Sequence, residues 1–321
     1  MLQIRIDDDL NKFAHKFSSD LFKSKRADFK RPEVLLNNLI DRYKTVDKIQ
    51  VLILKLIKNK IEVLKTLKPK EQAVLINKIQ TKNLNHLFFK NGKATSFSND
   101  IVNALRYDEL RESYAYKITD KLGLKVCPYC NAMLAITVNK QKNIKKARFQ
   151  LDHYFPKSRY PFLSISFFNL IPCCGNCNQS KSNSDVDLLK NFHLYTEEEP
   201  REKFKFKLEK TALVKNLIHK SNDIKFAFTS TGKEFDAKLA SHKRNFDIEG
   251  LYNTQKDVIQ ELIWKSQAYN SSRIKELAGI LNIPEKSVKR MVLGNYIDKE
   301  DIHKRPLAKF MQDIAKDLGL L

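Results

Sequence analysis

Between Leu10 and about Leu124 apolar residues recur at helical spacing, as in Leu35, Leu36, Leu39 and Ile40, then Ile49, Leu52, Ile53, Leu56, Ile57, Val63 and Leu64. Lys and Arg fill most of the intervening positions. The pattern predicts basic amphipathic helices, and it suits either a surface that grips phosphates or a solvated lysine-rich face. Lys90 to Lys93 and the polar stretch up to Asp100 have turn composition and mark a boundary or a surface loop. Asn131 to Val138 is short, apolar and partly β-branched, which predicts a strand, with Ala147 to Phe155 as its partner across the basic turn Asn139 to Lys146. After a loop from Pro156 to Pro172, a helix is expected from Cys174 to Asn178 onward, continuing towards Leu189. Phe204 to Leu208 and Ile224 to Phe228 alternate with period two, predicting a strand pair, and helical periodicity returns from Tyr252 to the end. Within that last stretch, Lys275 to Gly294 has the texture of a helix-turn-helix, with a turn at Asn282 to Pro284 and with Ser287, Lys289 and Arg290 on the open side of the second helix; packed α-hairpins share that texture. No internal repeat is evident.

The expected fold class is therefore α+β, mostly α. Three regions are expected: a basic helical region over 1–105, a central module over 106–190, and a mainly helical region with a small strand pair over 191–321.

Charge adds a partner class. The 59 Lys and Arg against 37 Asp and Glu leave a formal net charge of +22, an excess that points to a polyanion, most simply nucleic acid. No apolar run approaches the roughly 20 residues needed to span a bilayer; the best stretch, Val51 to Leu56, is broken by Lys55. The first residues, Met1 to Asp9, lack the apolar core of a secretory signal, so a cytoplasmic location is expected. In that reducing compartment clustered cysteines favour metal over disulfides.

All five cysteines fall between positions 127 and 177, as Cys127-Pro-Tyr-Cys130 and Cys173-Cys174-Gly-Asn-Cys177. Two C-x2-C knuckles present four thiolates at a spacing that suits a closed tetrahedral zinc site of a structural kind. Between and beside the knuckles lie Asp152, His153, Asn169 and Asn178. Phosphodiester hydrolysis needs an activated water, a cation to neutralise the phosphate and help for the leaving oxygen. His153 is a natural base, while Asp152 and Asn178 offer hard oxygens suited to Mg²⁺ or Mn²⁺ with coordination positions left open. Asn169 suits an orienting role, its amide fixing the loop and so the His153 ring. Lys157, Arg159 and Lys181 are close enough in sequence to contact substrate phosphates. The other histidines, His15, His86, His193, His219, His242 and His303, lack ligand-like spacing and are expected at the surface or as caps.

In order and interval, Asp152-His153, Asn169 and Asn178, framed by Cys127, Cys130, Cys174 and Cys177 and followed by Lys181, resemble an HNH endonuclease of the zinc-braced ββα-metal type. From His153 to Asn169 is 16 positions, and 9 more lead to Asn178. The resemblance spans about residues 106–190. It implies that Asp152 and Asn178 hold the catalytic ion, that His153 activates water and that Asn169 positions it. Asn178 stands where many members carry His. It also sets the frame of the second knuckle, pairing Cys174 with Cys177 and leaving Cys173 as a small buried residue. The wording Leu151-Asp-His-Tyr-Phe-Pro-Lys-Ser158 and Asn169-Leu-Ile-Pro-Cys-Cys-Gly-Asn-Cys-Asn178 is similar to HNH nucleases of bacterial anti-phage systems, including the HNH subunit of Septu. That likeness implies an antiviral defence role beside an ABC-type ATPase. DNA is the expected substrate. A non-catalytic zinc module that binds nucleic acid, an RNA-cleaving enzyme and a toxin-like nuclease are the rival readings.

Overall fold

The structure, a computed structural model, describes residues 2–23, 25–141, 144–182, 184, 186–211, 213–214 and 224–321. The chain divides into two compact units. The first comprises residues 3–122 and 137–200, the second residues 1–2, 123–136 and 201–321. Among the described residues no helix is long and apolar enough to cross a membrane.

The first unit opens with a short strand, β1 (Ile4–Arg5), and four helices, α1 (Asp8–Asp20), α2 (Pro32–Tyr43), α3 (Lys48–Thr66) and α4 (Pro69–Thr81). Local chemistry places their starts. Asp7 accepts from the Leu10 N–H, Asp47 from Ile49 and Gln50, and α4 begins on Pro69 with Glu71 reaching back to the Lys68 N–H; each satisfies donors that a helix leaves unpaired. The Asn91-Gly92 turn joins β2 (Phe89–Lys90) to β3 (Lys93–Ala94) with both residues at positive φ, so the turn-rich stretch is a hairpin inside the unit. Three helices follow: α5 (Ser96–Ala104), α6 (Tyr107–Ser113) and α7 (Ala115–Leu122). On α3 the core takes Leu54, Ile57, Ile61 and Leu64, one face of the helix, while Ile49, Leu52, Leu56 and Val63 remain exposed. Phe167 meets Phe13 and Phe17 of α1 edge to face, which ties α1 to the central loop.

The central strands depart from the expected hairpin. β4 (Ile136–Gln141) pairs with β5 (Ile144–Arg148), and the tip of their basic turn, 142–143, lies outside the described residues. The Ala147–Phe155 stretch is split instead: β6 (Gln150–His153) pairs antiparallel with β7 (Leu170–Cys173), with Asp152 opposite Ile171 and His153 opposite Leu170. Residues 131–135 cannot serve as the partner because Asn131 is left-handed, at φ 58°, and Leu134 bridges back to Val126. The expected loop up to Pro172 accordingly ends at Asn169, and β7 starts at Leu170. α8 (Gly175–Lys181) follows and stops at Ser182, which has φ 48°, well short of Leu189. β6, β7 and α8 form the ββα arrangement. β8 (Tyr195–Thr196) closes the unit by pairing parallel with β1.

In the second unit β9 (Phe204–Leu208) pairs antiparallel with β10 (Phe226–Ser230), Phe206 opposite Phe228, as the alternation predicts. Helices α9 (Asp236–Phe246), α10 (Ile248–Asn253), α11 (Lys256–Ala268), α12 (Ser271–Leu281), α13 (Glu285–Leu293) and α14 (Ala308–Asp317) complete it. The core gathers Phe206, Tyr252 and Phe310. Beside it Asp313 accepts the Phe206 N–H and is paired with Lys309.

Two substitutions on α3 test this orientation. Leu54→Ala is expected to cost about 2–5 kcal/mol, because it leaves a cavity in a closed core. Leu52→Ala, two positions away on the open face, should stay within about 0.5 kcal/mol of wild type in the same denaturant titration.

Candidate active site

The first cysteine knuckle is a tight turn. Cys127 N–H donates to Met133 O and Asn131 N–H donates to Cys127 O, each at 2.8 Å. Two distant side chains brace it: His242 Nε2 donates to Tyr129 O at 2.8 Å and the Tyr252 hydroxyl to Cys130 O at 2.7 Å. Burial holds His242 well below the ordinary histidine range, so the ring is neutral. The second knuckle straddles the start of α8, where Cys174 is the N-cap and its Sγ accepts the Cys177 N–H at 3.5 Å. The Sγ atoms of Cys127, Cys130, Cys174 and Cys177 all lie within 4.8 Å of one another, and all four residues are buried. Tetrahedral Zn–S bonds of about 2.3 Å place sulfurs about 3.8 Å apart, so this donor set could hold a metal ion such as zinc. Cys173, though adjacent, lies outside the group and is fully buried, its thiol pushed well up by desolvation.

A cleft of about 1120 Å³ opens over β6, and Asp152, His153 and Asn178 all line it, together with Tyr107, Arg111, Lys145, Lys146, Lys157 and Gln150. Asp152 and His153 stand at the end of β6, 3% and 6% exposed. His153 Nε2 lies 2.9 Å from Ser164 O. A carbonyl can only accept, so Nε2 carries the proton and Nδ1 the lone pair. Burial pushes the imidazole down to about 3, and the Lys157 and Lys181 charges push in the same direction. The ring is therefore neutral across the physiological range. Tyr107 packs against it with ring centres 4.5 Å apart.

Asn169, fully buried, does not line the cleft. Its Oδ1 accepts the Phe155 N–H at 2.8 Å, and its Nδ2 donates to Phe155 O and Leu163 O at 3.1 Å. The amide thus clips together the loop that carries Ser164 and so sets the imidazole at one remove. On α8 the Asn178 Nδ2 donates to Gln150 Oε1 at 2.6 Å, so its Oδ1 is the side-chain atom that could ligate a cation.

The basic residues divide. Lys181, expected at substrate phosphates, points inward instead: at 2% exposure its ammonium lies 2.9 Å from Asp152 Oδ1 and 2.7 Å from His153 O. The buried carboxylate next door, not the solvent, is its partner. Arg159 is turned away and stacks over Phe89 at 4.1 Å. Lys157 lines the cleft with its Nζ 4.7 Å over the Tyr107 ring. Two histidines also correct the surface reading. His193 is buried and accepts the Tyr195 N–H, and His242 braces the first cysteine knuckle; His219 lies outside the described residues. Ser164, Tyr107, Tyr252 and Gln150 carry no motif. The first acts through a backbone carbonyl, which any residue could offer.

Metal analysis of purified protein should find about one zinc per chain, and Cys127→Ser or Cys177→Ser should lose it and fold poorly, since structural zinc supplies about 10–16 kcal/mol in small domains. Cys173→Ser should keep its zinc. Lys181→Met should lower unfolding stability by about 3–5 kcal/mol in buffer without added divalent ion, the cost of stranding a buried charge, and added Mg²⁺ or Mn²⁺ should recover part of that loss; equal melting with and without the ion would exclude an oxygen-ligated cation at Asp152.

No curated protein and no solved structure matches the chain. A family model does: residues 127–186 match that of the HNH endonucleases. The match begins at the first knuckle and takes in Asp152, His153, Asn169, Cys174, Cys177 and Asn178. Over residues 127–186, then, the chain is similar to an HNH endonuclease module.

Proposed function

We propose that the protein is a divalent-metal-dependent endonuclease that hydrolyses phosphodiester bonds in DNA, with Asp152, His153, Asn169 and Asn178 as its working residues and a structural zinc on the four cysteines. The observation that carries this reading is one cleft holding Asp152, His153 and Asn178, with the His153 ring locked so that Nδ1 keeps its lone pair. A binding module has no use for a neutral imidazole fixed in one tautomer beside a carboxylate.

The oxygens of Asp152 and Asn178 suit a hard cation such as Mg²⁺ or Mn²⁺. Bound there, such an ion would neutralise charge developing on the phosphate and stabilise the departing oxygen. His153 Nδ1 takes a proton from water as the water oxygen forms its bond to phosphorus, and the bond from phosphorus to the leaving ester oxygen breaks. Ser164 O steadies the imidazolium that results by accepting from Nε2–H. Asn169 acts as a positioning residue through the loop. Lys157, Lys145, Lys146 and Arg111 line the cleft and are the groups suited to flanking phosphates. Lys181 serves Asp152 and His153 rather than substrate. The finer reading of an anti-phage role beside an ABC-type ATPase is supported by the wording of residues 151–158 and 169–178.

The decisive experiment is cleavage of plasmid and of matched RNA, with and without a candidate ATPase subunit. His153→Ala should lower the rate by about 10²–10⁴, with zinc content and DNA binding near wild type. Asp152→Ala and Asn178→Ala should lose activity, moderate EDTA that leaves the zinc in place should silence the wild type and Mg²⁺ or Mn²⁺ should restore it, while Asn169→Ala should be milder and less stable. Wild-type cleavage by His153→Ala would leave the zinc-bearing binding module as the reading, and preference for RNA would move the substrate class.

A further inference from the structure

The helix pair in the second unit has the form its sequence texture predicts. α12 ends at Asn282, left-handed at φ 51°, and Ile283 N–H returns to Ala278 O; Pro284 then starts α13, with Ser287 N–H donating to Pro284 O at 2.8 Å. Ile274 of α12 and Val288 and Leu293 of α13 are buried, and both helices pack together. The solvent side of α13 differs between its ends. In the first turn Glu285 is acidic and Lys286 is paired with Asp298, so that end offers no surplus charge. The last turn carries Arg290, whose guanidinium lies 4.1 Å over the Tyr296 ring.

A second guanidinium converges on the same ring. Arg305 lies 5.5 Å from the Tyr296 centre, held there because its Nη1 donates at 3.0 Å to Gly294 O, the left-handed residue that ends α13. Lys304 also lies 5.5 Å from that centre, with its own carboxylate in Asp301. Arg290 and Arg305, both exposed, have no carboxylate partner among the described residues. Two like charges drawn to one aromatic ring repel, and among the described residues no carboxylate pairs with either. What relieves such a pair is an anion, and planar guanidinium forks match phosphate oxygens in a bidentate way.

We propose that Arg290 and Arg305, set on Tyr296 at the end of the helix pair, form an anchoring site for the phosphate backbone of duplex DNA. The site is open, which suits a polymer rather than an enclosed small phosphate. Single strands are disfavoured because bases need a bare aromatic face for stacking, and the Tyr296 face is covered by Arg290. With cations at the end of α13 and none to spare at its start, the contact positions the duplex and does not read its sequence. It shares with the proposed function only DNA as the ligand.

The test is duplex binding by the full zinc-loaded chain in buffer without Mg²⁺ or Mn²⁺, followed by fluorescence anisotropy across a salt series. Arg290→Gln combined with Arg305→Gln should lower affinity roughly tenfold and flatten the slope of log affinity against log salt by about 2, one for each lost phosphate contact. A charge-matched control, Lys207→Gln with Lys210→Gln, should change affinity less than about twofold on the same series if the loss is local. Tyr296→Leu keeps both charges but removes their platform and should give an intermediate loss, and it stands in for the double variant if that melts early. Duplex should outcompete single-stranded DNA or RNA of equal length. Wild-type affinity and slope in the double variant, or an equal loss in the control, overturns the site while leaving the nuclease reading intact. Failure of the wild-type chain to bind duplex at all overturns both, and better competition by a single strand overturns the duplex assignment.

Discussion

Asp152 is nearly sealed from water, and the candidate active site depends on what keeps its charge tolerable there. An unpaired carboxylate at that depth would cost several kcal/mol. The Lys181 ammonium, 2.9 Å away, supplies the compensating charge and uses a further proton on His153 O. One buried cation therefore holds the end of β6 to α8 through two adjacent residues, the proposed metal ligand and the proposed base. From that fixed point the other constraints run outward: Ser164 O sets the tautomer of His153, and Asn169 clips the loop on which Ser164 sits. Each link is a hydrogen bond from a buried group, and such bonds are costly to break because the stranded partner has no water to turn to.

The site was legible in the sequence to the extent that it is made of side chains with irreplaceable chemistry. Four thiolates in two knuckles and the Asp, His and two Asn positions are types and intervals that few other purposes require, and the cysteines do converge. The groups that hold them were not legible. Ser164 contributes a carbonyl, and Tyr252 reaches the first knuckle from over a hundred residues away. Lys181 shares a short helix with Asn178, yet which side of it faces Asp152 is decided by the β6–β7 pairing. That pairing was itself misread, since apolar content marks Asn131 to Val138 as strand while the knuckle turn at Asn131 consumes its first half. Hairpin alternation was a sound guide for β9 and β10, where no metal turn competes.

Histidine shows the same limit. His193 and His242 have no spacing that separates them from the surface histidines, and the difference lies in their neighbours: Tyr154 lies 4.0 Å from one ring and Phe246 4.8 Å from the other. Aromatic packing drawn from distant parts of the chain turns a polar ring into core material, and one nitrogen of each ring then meets a backbone partner.

The pairing of Asp152 also bears on how a polyanion meets the cleft. Arg111, Lys145, Lys146 and Lys157 line it, and Asp152 and Glu112 are the carboxylates on the same lining. Were Asp152 uncompensated, its charge would oppose the approach of phosphate from just behind those cations. Lys181 offsets it internally, so in the proposed function the cations would meet the substrate with little opposition from below. The same arrangement explains why a lysine in this position is more useful buried than exposed. An exposed Lys181 would add one more cation to a surface already rich in them, whereas the buried one offsets the carboxylate of the proposed metal ligand within a cleft lined by cations.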